Sequence, residues 1–162
     1  MPGAPDPKAL LETFYAAFAR GDWAGMASCY HPDAAFRDEV FDLRGTRIAA
    51  MWRMLLEAGK GMRVEASGIS ADGDAGRARW VAEYVFSATG RKVRNRVASR
   101  FAFKDGLIHR QRDAFGFWRW AMQALGPAGL ALGWMPRMQH TVQARARANL
   151  DRFVQAHPEY GP

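Results

Sequence analysis

Residues 75–115, AGRARWVAEYVFSATGRKVRNRVASRFAFKDGLIHRQRDAF, decide the fold, because apolar and polar side chains alternate along most of this stretch. A period of two is the pattern of half-buried β-strands. Turn signals interrupt the alternation at Thr89-Gly90 and at Asp105-Gly106, and another, Asp72-Gly73-Asp74, precedes it. The stretch from Met62 to Phe115 is therefore predicted to form four consecutive antiparallel strands joined by hairpins.

Hairpin register predicts which side chains share a face of this sheet. A two-residue turn at Thr89-Gly90 places Phe86 opposite Val93, and it pairs Glu83 with Arg96 on the other face. A three-residue loop over residues 104–106 sets Val97 opposite Asp113, whereas a two-residue loop would move Asp113 to the other face. With the longer loop, one face is apolar except for five polar side chains: Asn95, Ser99, His109, Gln111 and Asp113. The other face carries seven basic side chains: Arg79, Lys92, Arg94, Arg96, Arg100, Arg110 and Arg112.

Helical spacing dominates the chain before Met62. A first helix from Leu10 to Phe18 is predicted to stop at Gly21, and a second, capped by Asp22, is predicted to run to Tyr30. His31-Pro32-Asp33 predicts a break, residues 35–42 a short strand, and the segment after Gly45 a third helix that ends at Gly59 or Gly61. Helices segregated from an antiparallel sheet indicate an α+β fold.

The pattern returns to helix after Phe115. One helix is predicted from Phe117 to Gly126, then a Gly/Leu-rich loop, then a last helix from about Pro136. We therefore predict one domain over residues 1–115, with the three helices packed in a curved antiparallel sheet, and a helical extension over residues 116–162 packed on the same domain. Residues 116–136 carry so many large apolar side chains that we expect them to cover the open end of a pocket in the sheet.

Composition limits the classes of function. The chain has 162 residues, a net charge of +7 and a single cysteine, Cys29, so no internal disulfide can form. The arginines are spread along the chain rather than gathered in one run, which favours a solvated or interface role over nucleic-acid binding. No apolar run reaches membrane-spanning length and no basic leader is visible, so we expect a cytoplasmic protein. For the FWRW stretch at residues 117–120, a lid or dimer contact is favoured over a membrane anchor, because Gly and Pro interrupt any continuous amphipathic helix there.

Three stretches resemble a known superfamily by their order and spacing: AFARGDW at 17–23, YHPDAAFRDEVFDLRGTRIAAMW at 30–52 and RFAFKDGLIHRQRDAF at 100–115. Over residues 8–115 the chain resembles the nuclear transport factor 2-like superfamily, in its SnoaL-like and ketosteroid-isomerase-like branch. The resemblance implies a cone-like sheet around a pocket. Members include isomerases, cyclases, dehydratases, epoxide hydrolases and non-catalytic binding modules, so the fold does not decide the function.

Two carboxylates are the catalytic candidates. Asp38 resembles the proton-shuttling acid of ketosteroid isomerases, and Asp113 resembles the base on the last strand of SnoaL-like cyclases. A carboxylate in an apolar pocket has the raised pKa that proton transfer near neutral pH requires. The alternatives are structural: Asp38 caps a turn or pairs with Arg37 or Arg44, and Asp113 forms an ion pair with Arg110, Arg112 or an arginine of the extension.

Other positions depart from the enzymes of the superfamily. Ketosteroid isomerases build their oxyanion hole from a Tyr and a protonated Asp. By the resemblance, the matching positions of this chain are Phe14 and Ser99. Epoxide hydrolases of the superfamily need an Asp two residues after an Arg on one strand, and no acid follows Arg94 or Arg96 at that spacing. Two hypotheses remain: cofactor-free proton transfer of the isomerase or cyclase type, and non-catalytic binding of a small ligand or a protein.

The predicted partners follow from this pocket. We expect a small hydrophobic ligand, and no metal or cofactor, because the four His and one Cys are scattered. We also expect a homodimer through the outer sheet face, as is common for this fold, with apolar area from Val81, Val85, Ala98 and Ile108. The predicted ligand-binding residues are Phe14, Tyr15, Trp52, Trp80, Tyr84, Asn95, Ser99, Gln111 and Trp118.

Overall fold

The fold is a six-stranded sheet with helices on its concave side and a helical C-terminal segment, seen in a computed structural model that describes residues 6–59 and 61–161. The helices are α1 (Pro7–Ala19), α2 (Trp23–Ala27), α3 (Thr46–Ala58), α4 (Phe117–Leu125), α5 (Pro127–Leu132) and α6 (Pro136–Ala156), followed by a 3-10 turn at Pro158–Tyr160. The strands are β1 (Tyr30–Arg37), β2 (Asp42–Arg44), β3 (Arg63–Asp72), β4 (Ala75–Phe86), β5 (Arg91–Lys104) and β6 (Leu107–Ala114). The predicted α+β class and the four-strand meander are confirmed.

Strand order in the sheet is β2-β1-β6-β5-β4-β3. All neighbouring strands are antiparallel except β1 and β6, which run parallel and place Phe36 beside Gln111. This parallel pair brings the chain that follows α2 against the last strand of the meander. The N-terminal aromatic residues therefore lie beside the polar side chains of β6.

The first strand differs from its prediction at both ends. It begins at Tyr30, which was assigned to the second helix, and it includes the His31-Pro32-Asp33 stretch that was expected to break the chain. Pro32 is tolerated because the pairing with β6 is irregular between Tyr30 and Ala35, where no ladder hydrogen bond from Pro32 is needed. The strand predicted over 35–42 is two strands, because residues 38–41 turn the chain from β1 into β2.

The β4–β5 hairpin is offset by two residues from the predicted register. Phe86 lies opposite Arg91, and the loop has four residues, closed by the Gly90 N–H, which donates to the Phe86 carbonyl at 2.8 Å. Gly90 has a φ of 71°, a backbone conformation that favours glycine. Glu83 is consequently opposite Arg94 rather than Arg96, at 3.2 Å between charged atoms. A shift of two leaves every side chain on its predicted face.

The β5–β6 hairpin reaches the predicted faces by a different route. Its loop has two residues, Asp105 and Gly106, but a bulge at His109 inserts one extra residue into β6. Beyond the bulge Asp113 lies opposite Ser99, not Val97, and both are buried on the concave side.

Two predictions about individual side chains were wrong, because the two-residue loop shifts residues 107 and 108 by one position and the bulge displaces residue 109. The ring of His109 packs against that of His31, with 5.4 Å between their centroids, instead of joining the polar residues of the inner face. Ile108, predicted on the outer face, is fully buried in the core. The four outer-face arginines that flank the polar residues of β5 and β6 are exposed as predicted: Arg94, Arg96, Arg100 and Arg112.

Aromatic rings from the helices and the sheet build the core. Phe18 on α1 contacts Trp52 on α3 and Trp80 on β4, with centroid distances of 5.0 and 5.1 Å. Phe14 packs edge-on against Trp52 and against Phe101 on β5. Each such buried side chain contributes about 1.5–3 kcal/mol from burial alone, so this cluster holds α1 and α3 in the curve of the sheet.

The C-terminal helices pack on the edge of this core. The buried stripe of α4 is Phe117, Trp120, Ala121 and Ala124, and it lies against Val93. Its last carbonyls are bound by the β4–β5 loop, since the Thr89 hydroxyl donates to Ala124 and the Arg91 Nε to Gln123. The segment after Pro127, predicted as a loop, forms the short helix α5.

Close contact between α4 and α5 depends on a glycine. A Cβ on Gly129 would lie 1.8 Å from the carbonyl oxygen of Ala121, which is part of the backbone and cannot rotate away. At Gly116, by contrast, the nearest atom would be 3.7 Å away, and its φ of −74° is open to any residue.

Gly129→Ala is therefore expected to lower the free energy of unfolding by about 1–3 kcal/mol, because the two helices must separate. The matched control Gly116→Ala should change it by less than about 1 kcal/mol. Chemical denaturation of both variants measures the difference. Equal effects of the two substitutions would contradict the proposed contact.

Candidate functional site

A cavity of about 620 Å³ lies between the concave face of the sheet, α3 and the C-terminal helices. Its wall is mostly apolar, with contributions from Trp52, Leu55, Trp80, Tyr84, Val97, Trp120, Leu125, Met138 and Val142. The buried or largely buried polar side chains on this wall include Asp38, Asn95 and Asp113. Exposed residues of the β4–β5 loop and of α6, such as Thr89 and Arg145, form its rim. This size and composition are typical of sites for small organic molecules.

Asp113 is the most deeply buried acid on this wall, with 2% of its surface exposed. Its Oδ1 accepts hydrogen bonds from the Ser99 hydroxyl at 2.5 Å and from the Gln111 side-chain amide at 3.1 Å. Ser99 accepts in turn from the indole N–H of Trp80 at 2.8 Å. The cross-strand pairing of β5 and β6 places these three polar residues together.

A second chain of hydrogen bonds orients Gln111. The indole N–H of Trp52 donates to the Tyr30 hydroxyl at 2.9 Å, and that hydroxyl donates to the Gln111 Oε1. Burial raises the pKa of Tyr30 well above its ordinary value, so the hydroxyl keeps its proton and remains a donor. The Gln111 amide nitrogen is therefore directed at Asp113.

The second oxygen of Asp113 receives no hydrogen bond from the residues that the structure describes. No arginine compensates the charge either: within the described chain Asp113 has no ion pair, and Arg110 and Arg112 are exposed on the opposite face. Burial raises the pKa of Asp113 to about 7, against the opposing effect of the bonds from Ser99 and Gln111. One carboxylate oxygen is thus free for a molecule in the cavity.

Asp38 begins the turn between β1 and β2. Its Oδ1 accepts hydrogen bonds from the backbone N–H groups of Val40 and Phe41 at 2.7 and 2.6 Å. Asp38 therefore caps a turn through its Oδ1, as the structural alternative predicted, and it also lines the cavity. Burial raises the pKa of Asp38 to about 6, and the negative charge of Asp38 adds to the rise at Asp113. Two carboxylates of raised pKa thus line one cavity.

Tyr15 and Phe14 lie in the core behind the cavity wall. Their rings pack edge-on with a centroid distance of 5.1 Å, and both are buried. The Tyr15 hydroxyl is buried without a hydrogen-bond partner among the described residues. Burial and then the charge of Asp113 raise the pKa of Tyr15, while the nearby Ser99 hydroxyl acts in the opposite direction. The hydroxyl is thus an unpaired donor close to the Ser99–Asp113 pair.

The other predicted ligand-binding residues divide into two groups. Trp52, Trp80, Tyr84 and Asn95 line the cavity, whereas Ser99 and Gln111 support Asp113 from behind the wall. Trp118 was predicted in the site but lies outside it, 45% exposed, with its indole N–H bonded to the Leu130 carbonyl.

Trp120 takes the place that was predicted for Trp118. It lines the cavity and donates its indole N–H to the Tyr84 hydroxyl at 2.8 Å. The spacing of Phe117, Trp120, Ala121 and Ala124 at i, i+3, i+4 and i+7 is the signal that could have identified it. The sequence also missed Tyr30, because it was assigned to a helix.

Within residues 6–59 and 61–161, no three His, Cys, Asp or Glu side chains come together as metal ligands would. In the same part of the chain, none of the helices has the length and apolar character to span a membrane. Asp38 and Asp113 can exchange protons and form hydrogen bonds with a molecule in the cavity.

The sequence model of the SnoaL-like domain family matches residues 11–111 of the chain. The chain therefore belongs to the SnoaL-like domain family, as the three stretches at 17–23, 30–52 and 100–115 predicted. Among curated proteins, none matches the chain in sequence.

Solved structures share the nuclear transport factor 2-like fold. One is a proposed polyketide cyclase from Xanthomonas campestris pv. campestris, with 22% identity and a TM-score of 0.62 over 72% of this chain and 95% of that one. An LEH-like epoxide hydrolase from M. tuberculosis has 23% identity and a TM-score of 0.61, over 78% and 95%. A Catenulispora acidiphila protein with a ketosteroid isomerase-like fold, in complex with trimethylamine, has 14% identity and a TM-score of 0.65, over 78% and 97%. These similarities establish the fold and leave the reaction open.

Tyr30→Phe and Tyr15→Phe are expected to differ in stability although each removes one buried hydroxyl. Loss of the Tyr30 hydroxyl strands the Trp52 N–H and the Gln111 amide oxygen, which should lower the free energy of unfolding by about 1–3 kcal/mol. Loss of the unpaired Tyr15 hydroxyl should leave it unchanged or raise it. Urea denaturation measures both values, and an equal loss in both variants would show that Tyr15 has a partner.

Stability should also depend on the charge of Asp113. Its pKa is about 7 in the folded chain against an ordinary 3.8, so the folded chain binds the extra proton. The free energy of unfolding should therefore fall as pH rises from about 4 to about 7, by up to about 1.4 kcal/mol per pKa unit. Asp113→Asn, which keeps an oxygen acceptor for Ser99, should remove this contribution over the whole range and leave only the fall below about pH 6 that comes from Asp38.

Denaturation profiles between pH 4 and pH 8 measure the effect. Asp33→Asn is the control, because Asp33 is exposed on β1 and its substitution removes one carboxylate of the same kind. A parent-like profile in Asp113→Asn would mean that Asp113 is ionised in the folded chain throughout this range.

Proposed function

We propose that the chain binds a small, largely apolar molecule that carries a carbonyl group, and that Asp38 and Asp113 transfer a proton on it without a cofactor. The observation that carries this proposal is a pair of carboxylates of raised pKa on the wall of one apolar cavity, with Asp113 buried and Asp38 largely buried. Acids and bases of proton-transfer enzymes have pKa values near the working pH, and burial produces them.

The cavity wall favours a hydrophobic substrate with few polar groups. Aromatic and aliphatic side chains from α3, β4, α4 and α6 surround the two acids, and a charged molecule would lose its hydration there without an opposite charge inside. A ketone needs one hydrogen-bond donor for its oxygen and one base for its acidic C–H. Asp113 and Asp38 supply one of each.

The surroundings of the two acids favour different roles: Asp38 accepts two backbone N–H bonds, which favour its ionised form, and Asp113 is the more deeply buried, which favours its protonated form. Near neutral pH, Asp38, with a pKa of about 6, is mostly ionised and is the base. Asp113, with a pKa of about 7, still holds a proton in a large fraction of molecules and is the acid. Environments that separate two carboxylates in this way are a recurrent sign of an acid–base pair.

The proposed step conserves protons. The free oxygen of Asp38 takes the proton from the carbon beside the carbonyl, the electron pair moves to the carbonyl oxygen, and Asp113 donates a hydrogen bond to that oxygen. The enol or enolate then regains a proton from Asp38 at the same or at a conjugated carbon. If Asp38 first trades its proton with solvent, return to the same carbon gives hydrogen exchange, and delivery to a conjugated carbon gives isomerisation; neither needs a co-reactant other than water.

Classical steroid isomerisation does not fit these residues. Phe14 cannot donate a hydrogen bond, and Ser99 already gives its proton to Asp113. The oxygen of the substrate would have to be stabilised from Asp113 itself, at a different place on the wall. This difference favours a substrate other than a steroid enone held in the usual orientation.

Deuterium incorporation tests the proposal without knowledge of the natural substrate. A panel of hydrophobic ketones is incubated with the protein in D₂O, and exchange of the hydrogens beside the carbonyl is followed by NMR. We expect a rate maximum between about pH 6 and 7, because the base must be ionised and the acid protonated. Asp38→Asn should reduce the catalysed rate by a factor of about 10²–10⁴, while Asp33→Asn should leave it unchanged.

Binding of the same ketones is measured in parallel by quenching of the tryptophans on the cavity wall. Ketones that bind without exchange, or exchange that Asp38→Asn and Asp113→Asn do not affect, would remove the catalytic proposal. The first result would instead support the alternative function, a non-catalytic module that holds a small apolar ligand.

A further inference from the structure

The outward surface of α4 and α5 carries four large apolar side chains in the open. Within the described chain, Trp118 is 45% exposed, Leu130 58%, Leu132 46% and Trp134 66%. We call these four residues the α4–α5 patch. They belong to the segment 116–136, which was predicted to cover the pocket. In that segment the cavity is lined by Trp120 and Leu125, and the four patch residues point away from it. The patch therefore has no partner within the described chain.

The two tryptophans lie close to the exposed leucines of α5, because both rings contact the backbone of residues 130–133. The indole N–H of Trp118 donates to the Leu130 carbonyl at 3.2 Å, and the Trp118 ring would lie 3.0 Å from a Cβ on Gly133. The indole N–H of Trp134 donates to the Ala131 carbonyl at 3.0 Å. Because both N–H groups are satisfied internally, the exposed parts of the rings are apolar.

The charge around the patch has one sign. Residues 114–150 contain four arginines and no Asp or Glu. Arg119 follows Trp118 directly, Arg137 lies in the first turn of α6 just after Trp134, and both are exposed. Glu39 from the β1–β2 turn meets α6 further along, where its backbone carbonyl binds Gln139 and Gln143. Apolar rings with flanking arginines are complementary to an anionic surface.

The patch alone is smaller than a standard protein interface, and pairing it with a second copy would bring two sets of exposed arginines together. If each side chain offered roughly 250 Å², the upper value for an aromatic residue, the exposed fractions would amount to about 540 Å². Standard protein interfaces bury about 800 Å² on each partner. A lipid surface requires no such minimum, because Trp and Leu insert between headgroups and arginines bind the phosphates.

We propose that the α4–α5 patch docks on an anionic lipid bilayer surface. The sequence favoured a lid or dimer contact because Gly and Pro interrupt this segment; in the structure Gly126 and Pro127 join α4 to α5, and Trp118 and Leu130 on these helices are exposed. Leu125, just before α5, and Met138, just after it, both line the cavity. Docking would therefore hold the cavity wall at the surface from which an apolar molecule is drawn, although the docking itself does not depend on the proposed chemistry.

Vesicle sedimentation tests the proposal with the full chain. Vesicles of phosphatidylcholine mixed with phosphatidylglycerol should sediment the protein, and added salt should release it. Vesicles of phosphatidylcholine alone should bind at least tenfold more weakly. Absence of binding to the mixed vesicles would overturn the proposal.

Two pairs of variants separate local docking from general charge attraction. Leu130→Ser with Trp134→Ser should abolish sedimentation, whereas Val85→Ser, at a residue 50% exposed on β4, should not. Arg119→Gln with Arg137→Gln should weaken partitioning about fivefold per arginine. Arg77→Gln with Arg100→Gln removes the same charge from the exposed outer sheet face and should have a much smaller effect.

Equal losses in the two arginine pairs would overturn the proposal, because binding would then follow net charge and not the patch. Light scattering without lipid supplies the remaining test. A dimer that Leu130→Ser with Trp134→Ser converts to a monomer would assign the patch to a second copy of the chain and overturn lipid docking. A mass unchanged by these substitutions, together with their loss of sedimentation, would support it.

Discussion

The hydrogen bond between Ser99 and Asp113 depends on one extra residue in β6, and the polarity of the cavity depends on that bond. The two-residue turn at Asp105-Gly106 alone would direct Asp113 to the basic outer face. The bulge at His109 inverts the remainder of β6, so that Asp113 is buried opposite Ser99. The raised pKa of Asp113, its free oxygen and its distance from the arginines all follow from this inversion.

Side-chain faces were predictable from the sequence, whereas hairpin registers were not. The alternation along residues 75–115 fixed the faces, because a period of two leaves two choices for each strand. Both predicted registers were wrong by two residues, which preserves the face. In β6 a three-residue loop was predicted, and the structure has a two-residue loop plus a bulge. Compared with a two-residue loop alone, the three-residue loop and the bulge each leave one more residue unpaired. Asp113 therefore faces inward in both the predicted and the observed hairpin.

Contacts distant in sequence limited the prediction of the site. Asp38 and Asp113 were identified through a family resemblance, and the structure places both on one cavity wall. Tyr30 was missed because its bond to Gln111 joins residues 81 positions apart through a parallel strand pair, which no local pattern reveals. Trp118 was chosen over Trp120 because α4 carries two overlapping apolar stripes, and the position of β5 decides which one is buried.

Both hydrogen-bond chains that converge on Asp113 begin at an indole. Trp52 and Trp80 can donate but cannot give up their N–H protons near neutral pH, and neither can accept one. Within residues 6–59 and 61–161, neither of these two chains therefore offers a route by which a proton could pass from Asp113 to solvent on the far side of the sheet. Any proton that Asp113 gains or loses through its free oxygen must cross the cavity, so the molecule that occupies the cavity also controls when this acid can change its charge.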